Sequence, residues 1–133
     1  MSAANIALVQ SLYAAFGRAD IDAVMAGMAP DIRWDIVGRP EDYPTLGVRE
    51  GREAVRAYFG LIGERHEILA FTPEAFYADG ETVIVTGAEK WRLRGGDQAF
   101  ETAWVQLFTI RDGKVASFRE FTDTAQFARA SRG

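Results

Sequence analysis

Cysteine is absent from the 133 residues, so neither a disulfide framework nor thiolate chemistry is open to this chain. The one histidine, His66, has no second metal-type residue at ligand spacing, and no metal is expected. No window approaches the roughly 20 consecutive apolar residues of a membrane-spanning helix. The N-terminus, MSAANIALVQSLYAAFGRAD, lacks the basic start and unbroken apolar core of a secretory signal. A cytoplasmic protein without membrane contact is the expectation. Basic runs are also missing. Lysine and arginine number 15 against 19 acidic residues, a net charge of −4, which argues against nucleic acid as a partner. Arg92 and Arg94, flanking Leu93, read as solvation of a strand end. G-x-S-x-G, P-loop and dinucleotide-binding fingerprints are absent, and no cofactor is expected.

What the chain does have is the composition of an ordinary globular protein, 48% hydrophobic and 26% charged, enough for one domain over residues 1–133. Ile6, Val9, Tyr13 and Phe16 recur at helical spacing, predicting a helix over 4–18 closed by Gly17 and Arg18. Asp20 is placed to cap a short second helix that Pro30 ends. Residues 31–37 read as a strand and 38–50, with two prolines, as a loop long enough to be a lid or rim. A third helix, 52–65, puts Val55, Tyr58, Phe59 and Ile62 on one side. Four strands follow: 66–77, with Pro73 marking an edge or bulge; 82–93, with a bend at Gly87; and a hairpin over 100–123 turning at Asp112-Gly113. A last helical turn runs through Gln126 and Phe127. Helices early and antiparallel strands late predict an α+β cone: a curved, mixed but mostly antiparallel sheet packed by three helices.

The hairpin carries most of the chemistry. Phe100, Thr102, Trp104, Gln106, Phe108 and Ile110 share one parity of its first strand, and Phe118, Glu120 and Thr122 share one parity of its second. If that side faces the cone, Glu120 is a carboxyl in an apolar cavity with its pKa raised into the range of a general acid or base. If it faces out, Glu120 is a surface glutamate. Gln106, among aromatics, must then bond Glu120, Tyr13 or a ligand carbonyl. Glu89 shares parity with Val83, Val85 and Trp91. It is either a second cavity carboxyl or, the reading the pattern favours slightly, an outer-face partner of an arginine. Asp35 alternates with Trp34 and Ile36, so it points out if they point in, unless a bulge re-aims it. Tyr13, Trp34, Tyr58, Trp91, Trp104, Phe108 and Phe118 are the aromatics expected to wall a pocket for a small hydrophobic molecule. His66 suits the C-terminus of the third helix through the helix dipole.

The element order, with the runs W-D-x-V-G, G-R-E-A-V-x-x-Y-F and G-K-V-x-x-F-R-E-F-x-D-T, resembles the nuclear transport factor 2-like superfamily in its SnoaL-like and ketosteroid isomerase-like branch. The likeness covers nearly the whole chain. It implies a deep apolar pocket, no metal, and a homodimer formed through the convex face of the sheet. Its activities range over isomerases, cyclases, hydratases and epoxide hydrolases, with non-catalytic binders and interaction modules among them. Aligned on the closing hairpin, Gln106 falls where steroid isomerases keep a protonated aspartic acid. Their oxyanion tyrosine falls at Leu12, one residue before Tyr13, and their base at Asp35 or Ile36. Steroid isomerase activity is therefore not expected. The epoxide hydrolases' acidic W-R-D-Y run resembles Phe118-Arg119-Glu120-Phe121, but their Arg-x-Asp pair has no arginine in Gly87-Ala88-Glu89-Lys90-Trp91.

Overall fold

In chain order the computed structural model, which describes residues 2–132, runs α1 (Ser2–Gly17), α2 (Ile21–Ala26), β1 (Met28–Ile36), β2 (Gly47–Glu50), α3 (Arg52–Arg65), β3 (His66–Asp79), β4 (Thr82–Leu93), β5 (Ala99–Arg111), β6 (Lys114–Thr122) and α4 (Thr124–Arg132). The strands form one sheet ordered β2-β1-β6-β5-β4-β3, antiparallel except where β1 runs parallel to β6. This is the expected α+β cone with three differences. α2 ends at Ala26 with Gly27 as its cap, so Pro30 does not stop it but lies inside β1, which starts at Met28 rather than at Asp31. A fourth helix, α4, replaces the single C-terminal turn. The 38–50 segment is not wholly loop, because Gly47–Glu50 pairs with β1 as a short edge strand. Among the described residues no helix is long and apolar enough to cross a membrane.

Register follows from the turns. Asp112 and Gly113 have φ of 54° and 73°, the two positive angles of a tight hairpin turn whose twist matches the strands it joins. With that turn fixed, Phe108 pairs with Phe118, Gln106 with Glu120 and Trp104 with Thr122. The parallel neighbour adds Trp34 beside Phe118 and Ile36 beside Glu120. Phe100 to Ile110 alternate buried and more exposed along β5, with the even positions inward. On β3, parity is broken twice, near Leu69 and near Glu74, so that Ile68, Phe71 and Phe76 all lie opposite inward residues of β4.

The helices close the concave side. α1 ends at Gly17, and the turn beyond it is made by Ala19, whose φ is 59°; the Asp20 amide returns to the Ala15 carbonyl and the Ala19 amide to that of Phe16. Asp20 caps α2 through the Ala23 amide, as the sequence implied. Arg52, at the start of α3, donates twice to the Met28 carbonyl, at 2.9 and 2.5 Å, and so ties that helix to β1. The segment before β2 is packed inward: Tyr43, Thr45 and Leu46 are buried, and Arg49 holds the Pro44 and Thr45 carbonyls.

Gly87 sits where β4 bends against Trp104. A Cβ there would stand 2.5 Å from the Trp104 ring and 2.6 Å from the Thr72 carbonyl oxygen. Neither can retreat, since the ring is stacked on Phe71 at 5.0 Å and the carbonyl is backbone. Gly87→Ala should therefore cost about 1–3 kcal/mol, as overpacking of a fitted core does. Urea denaturation should show it as a lower midpoint at unchanged slope; an unmoved midpoint would mean the bend has slack.

Candidate active site

Two inner chambers lie between the helices and the sheet. The first, about 80 Å³, is lined by Tyr13, Trp34, Tyr58, Phe108 and Phe118, by Gln106 and Glu120, and by Leu12, Phe16, Val24, Met28 and Phe59. The second, about 40 Å³, shares Phe16, Tyr58, Phe59 and Glu120 with it and adds Thr45, His66, Glu89 and Phe127. Glu120 thus stands in the wall common to both. Its parity follows from the hairpin register, and its neighbours are aromatic because β1, β5 and β6 all turn their large residues inward.

One hydrogen-bonded chain crosses the first chamber. The Tyr13 hydroxyl donates to Gln106 Oε1 at 2.6 Å, and Gln106 Nε2 donates to Glu120 Oε1 at 2.6 Å. The amide therefore has one orientation, and it delivers a donor to the carboxyl. Burial pushes Glu120 up to about 7, while the Gln106 bond pulls the other way by favouring the carboxylate. Glu89 is pushed up to about 8, first by burial and then by the charge of Glu120. Tyr13 is raised by burial and secondarily by Glu120. Tyr58 is raised well above the usual phenol value by burial, then by Glu120 and Glu89. Both carboxyls consequently titrate near neutrality, and both phenols stay protonated there.

Five of the seven expected pocket aromatics line the first chamber, and the other two do not. Trp91 is fully buried in a stack with His66 at 4.5 Å, Phe127 at 4.7 Å and Phe100 at 4.8 Å. Trp104 lies behind Tyr13 and under Gly87, its indole N–H buried without a partner. Both serve as core. Glu89 faces the second chamber, so the outer-face arginine pairing does not occur. Asp35 is not brought to either chamber: with Trp34 and Ile36 inward it lies on the outer face, 3.7 Å from Arg33 and 3.6 Å from Arg119. No bulge re-aims it. Tyr13, not Leu12, presents its side chain to Gln106; Leu12 instead packs toward Gly27.

A second polar pair had no signal in the sequence. Tyr43 Oη and His66 Nε2 are 2.6 Å apart and buried, and His66 is pushed down to about 4 by burial and then by Arg65. The imidazole is neutral, so it stacks on Trp91 as an aromatic ring rather than answering the helix dipole. Twenty-three residues separate the two, with no motif between them. Among the described residues no three of His, Cys, Asp or Glu stand close enough to hold a metal ion.

The family profile of the SnoaL-like domain matches residues 9–118. Among solved structures, an NTF2-like protein from Burkholderia xenovorans is 36% identical, with a TM-score of 0.87 covering 98% of this chain and 97% of that one. An NTF2-like protein of unknown function from Burkholderia pseudomallei is 27% identical, with a TM-score of 0.88 and 98% of both chains covered. An LEH-like epoxide hydrolase from M. tuberculosis is similar in fold alone, at 18% identity and a TM-score of 0.77, covering 99% of this chain and 92% of that one. Comparison with curated proteins gives no match.

The two carboxyls make stability depend on pH. Folded Glu120 and Glu89 keep protons that the unfolded chain, at about 4.5, has already released, so stability falls as pH rises toward about 8. His66 acts oppositely, since its folded value of about 4 lies below the ordinary 6.5, and its contribution is complete above that. Melting temperature should therefore decline between about pH 6.5 and 8, and Glu89→Gln should flatten the decline. An unaltered slope in that variant would show Glu89 ionising as an exposed carboxylate does.

Proposed function

The chain belongs to the SnoaL-like family of the NTF2-like superfamily, and from that premise we propose that it is an acid–base enzyme acting on a small hydrophobic substrate through its own side chains. The observation that carries this is Glu120, set in an aromatic chamber with the Gln106 amide donating to it. Burial gives the carboxyl a pKa near the operating range, where a general base is most effective. The Tyr13–Gln106 bond fixes which amide atom faces Glu120. As a carboxylate, Glu120 takes a proton from a carbon beside a carbonyl or from an attacking water. Tyr58, which borders both chambers, is the donor for the oxygen that gains charge. Glu89, neutral until about pH 8, returns a proton. Isomerase, cyclase and hydratase or hydrolase outcomes all use this sequence of transfers. A carboxyl with raised pKa beside a fixed donor favours catalysis over simple binding of a hydrophobic metabolite.

Proton abstraction is testable without the natural substrate. Incubated with small enolisable cyclic ketones in deuterium oxide, the protein should speed deuterium incorporation, read by mass spectrometry. Glu120→Gln should lower the rate by roughly 10²-fold or more, the usual weight of a positioned general base. Asp35→Asn, on the outer face, should leave it unchanged. The rate should rise through about pH 7 as Glu120 ionises. Full exchange by Glu120→Gln would remove that residue from the mechanism.

The outer face supports pairing of two copies through the sheet, which we propose as the assembly. Val48, Leu107, Ile84 and Tyr77 share one row across the strands with the ion-paired Asp35 and Arg119 between Val48 and Leu107, and Phe121, Val105 and Thr86 share another. Val48, Tyr77 and Phe121 are exposed at 48%, 56% and 41%, a large apolar area for a face in water. Val105→Asp should give monomers by light scattering; an unchanged dimer would rule this face out.

A further inference from the structure

The inner chambers are too small for more than a few substrate atoms, which leaves open where the rest of a substrate lies. A larger recess is a groove of about 560 Å³ bordered by Phe16, Ala19, Ile21, Phe59, Ile62 and His66 and, along β3, by Ile68, Ala70, Phe71 and Pro73. Its size is that of a site for a whole small molecule. Phe16 and Phe59, with ring centroids 5.9 Å apart, border the groove and both chambers, so the three spaces meet at that pair. Tyr13 joins the groove to the first chamber, and His66 joins it to the second.

The groove is mostly apolar and carries one charge among the described residues. His66 is neutral, and Arg94 is the sole charged residue bordering the recess. Two bonds hold Arg94 in place: its amide donates to the Arg65 carbonyl at 2.9 Å, and its Nε donates to the Gly63 carbonyl at 2.7 Å. The terminal guanidinium nitrogens make no hydrogen bond or ion pair among the described residues, whereas neighbouring Arg92 is paired with Glu67. A guanidinium fixed at Nε with its outer nitrogens free is suited to a carboxylate or sulfonate, which it can hold with two parallel bonds.

We propose that Arg94 is the specificity residue for an amphipathic organic anion. Its apolar body lies in the groove, its acidic group sits on the guanidinium, and its far end passes the Phe16–Phe59 pair to Glu120. This rests on the acid–base reading only for what happens at that far end; the anion subsite stands on the groove and Arg94. A carboxylate there sits outside the chamber, where it does not add negative charge beside Glu120 and Glu89.

The test compares two fluorescent probes of nearly the same shape, anilinonaphthalene sulfonate and uncharged phenylnaphthylamine, by titration into the full chain. Wild type should bind the sulfonate more tightly. Arg94→Gln should weaken the sulfonate about tenfold, the weight of a charge-assisted bond, and leave the neutral probe alone, and Arg94→Lys should restore part of the loss. Ile68→Trp, which enlarges a β3 side chain that lies opposite Trp91 and borders the groove, should weaken both probes. Glu120→Gln should weaken neither, so loss of turnover and loss of anion binding report separately. Equal effects of Arg94→Gln on both probes, no effect on either, or binding that survives Ile68→Trp would each overturn the proposal.

Discussion

The molecule depends on the register of one hairpin. Asp112 and Gly113 adopt positive φ, which commits β5 and β6 to a pairing in which Gln106 meets Glu120. A slip of one residue would send Glu120 and Phe118 outward and bring Arg119 and Ser117 into the aromatic interior. The alternatives are separated by the burial of Phe108, Phe118 and Trp34. The stacked pair Trp34–Phe118, 3.8 Å between centroids, extends the constraint to β1. Gln106 and Glu120 are thus placed by the apolar residues two positions away, Trp104, Phe108 and Phe118.

That dependence explains what could be read from the chain and what could not. The hairpin, its turn residues and the shared parity of Trp104, Gln106 and Phe108 are local patterns, and they were legible; which side of the hairpin faces the cone was not, because both sides carry large apolar residues. Glu120 and Gln106 came with them, and so did the outward position of Asp35 once Trp34 was inward. β3 was less legible because its two bulges shift parity, so Ile68 and Phe71 face one way although their numbers differ by an odd count. β2 was hidden for a similar reason: four residues of mixed exposure after a proline-rich loop carry no periodic signal, and only pairing with β1 makes them a strand. The roles of Trp91 and Trp104 failed on packing. A tryptophan at a strand centre is inward either way, and whether it meets space or Phe127 and Phe71 depends on contacts far along the chain. Family alignment pointed to Leu12, yet the turn of α1 that meets Gln106 brings Tyr13 instead.

Electrostatics give the interior its character. A carboxyl loses water on entering such a chamber and gains only what the protein supplies. Gln106 supplies one bond to Glu120; Glu89, among the described residues, receives none from a side chain. The group with a donor titrates at about 7 and the group without one at about 8, with the mutual repulsion adding to the second. Two similar residues are thus held at different protonation preferences by one amide. His66 shows the same physics with the opposite sign, since burial removes its charge and lets it stack as a neutral ring.

The position of the single groove cation bears on this arrangement. Had Arg94 reached into the chambers, it would have stabilised the carboxylate form of Glu120 and Glu89 and lowered both pKa values out of the useful range, as an adjacent arginine does. It sits instead beyond Phe16 and Phe59, anchored to the Gly63 carbonyl at the end of α3. Arg33 and Arg119 are likewise kept on the outer face with Asp35 between them. The arginines that border the interior are spent on backbone carbonyls, Arg49 on those of Pro44 and Thr45 and Arg52 on that of Met28. Positive charge is therefore kept from the two acidic side chains, so the burial that raises them goes uncompensated by any cation and a protonated carboxyl stays available inside the cone near neutral pH.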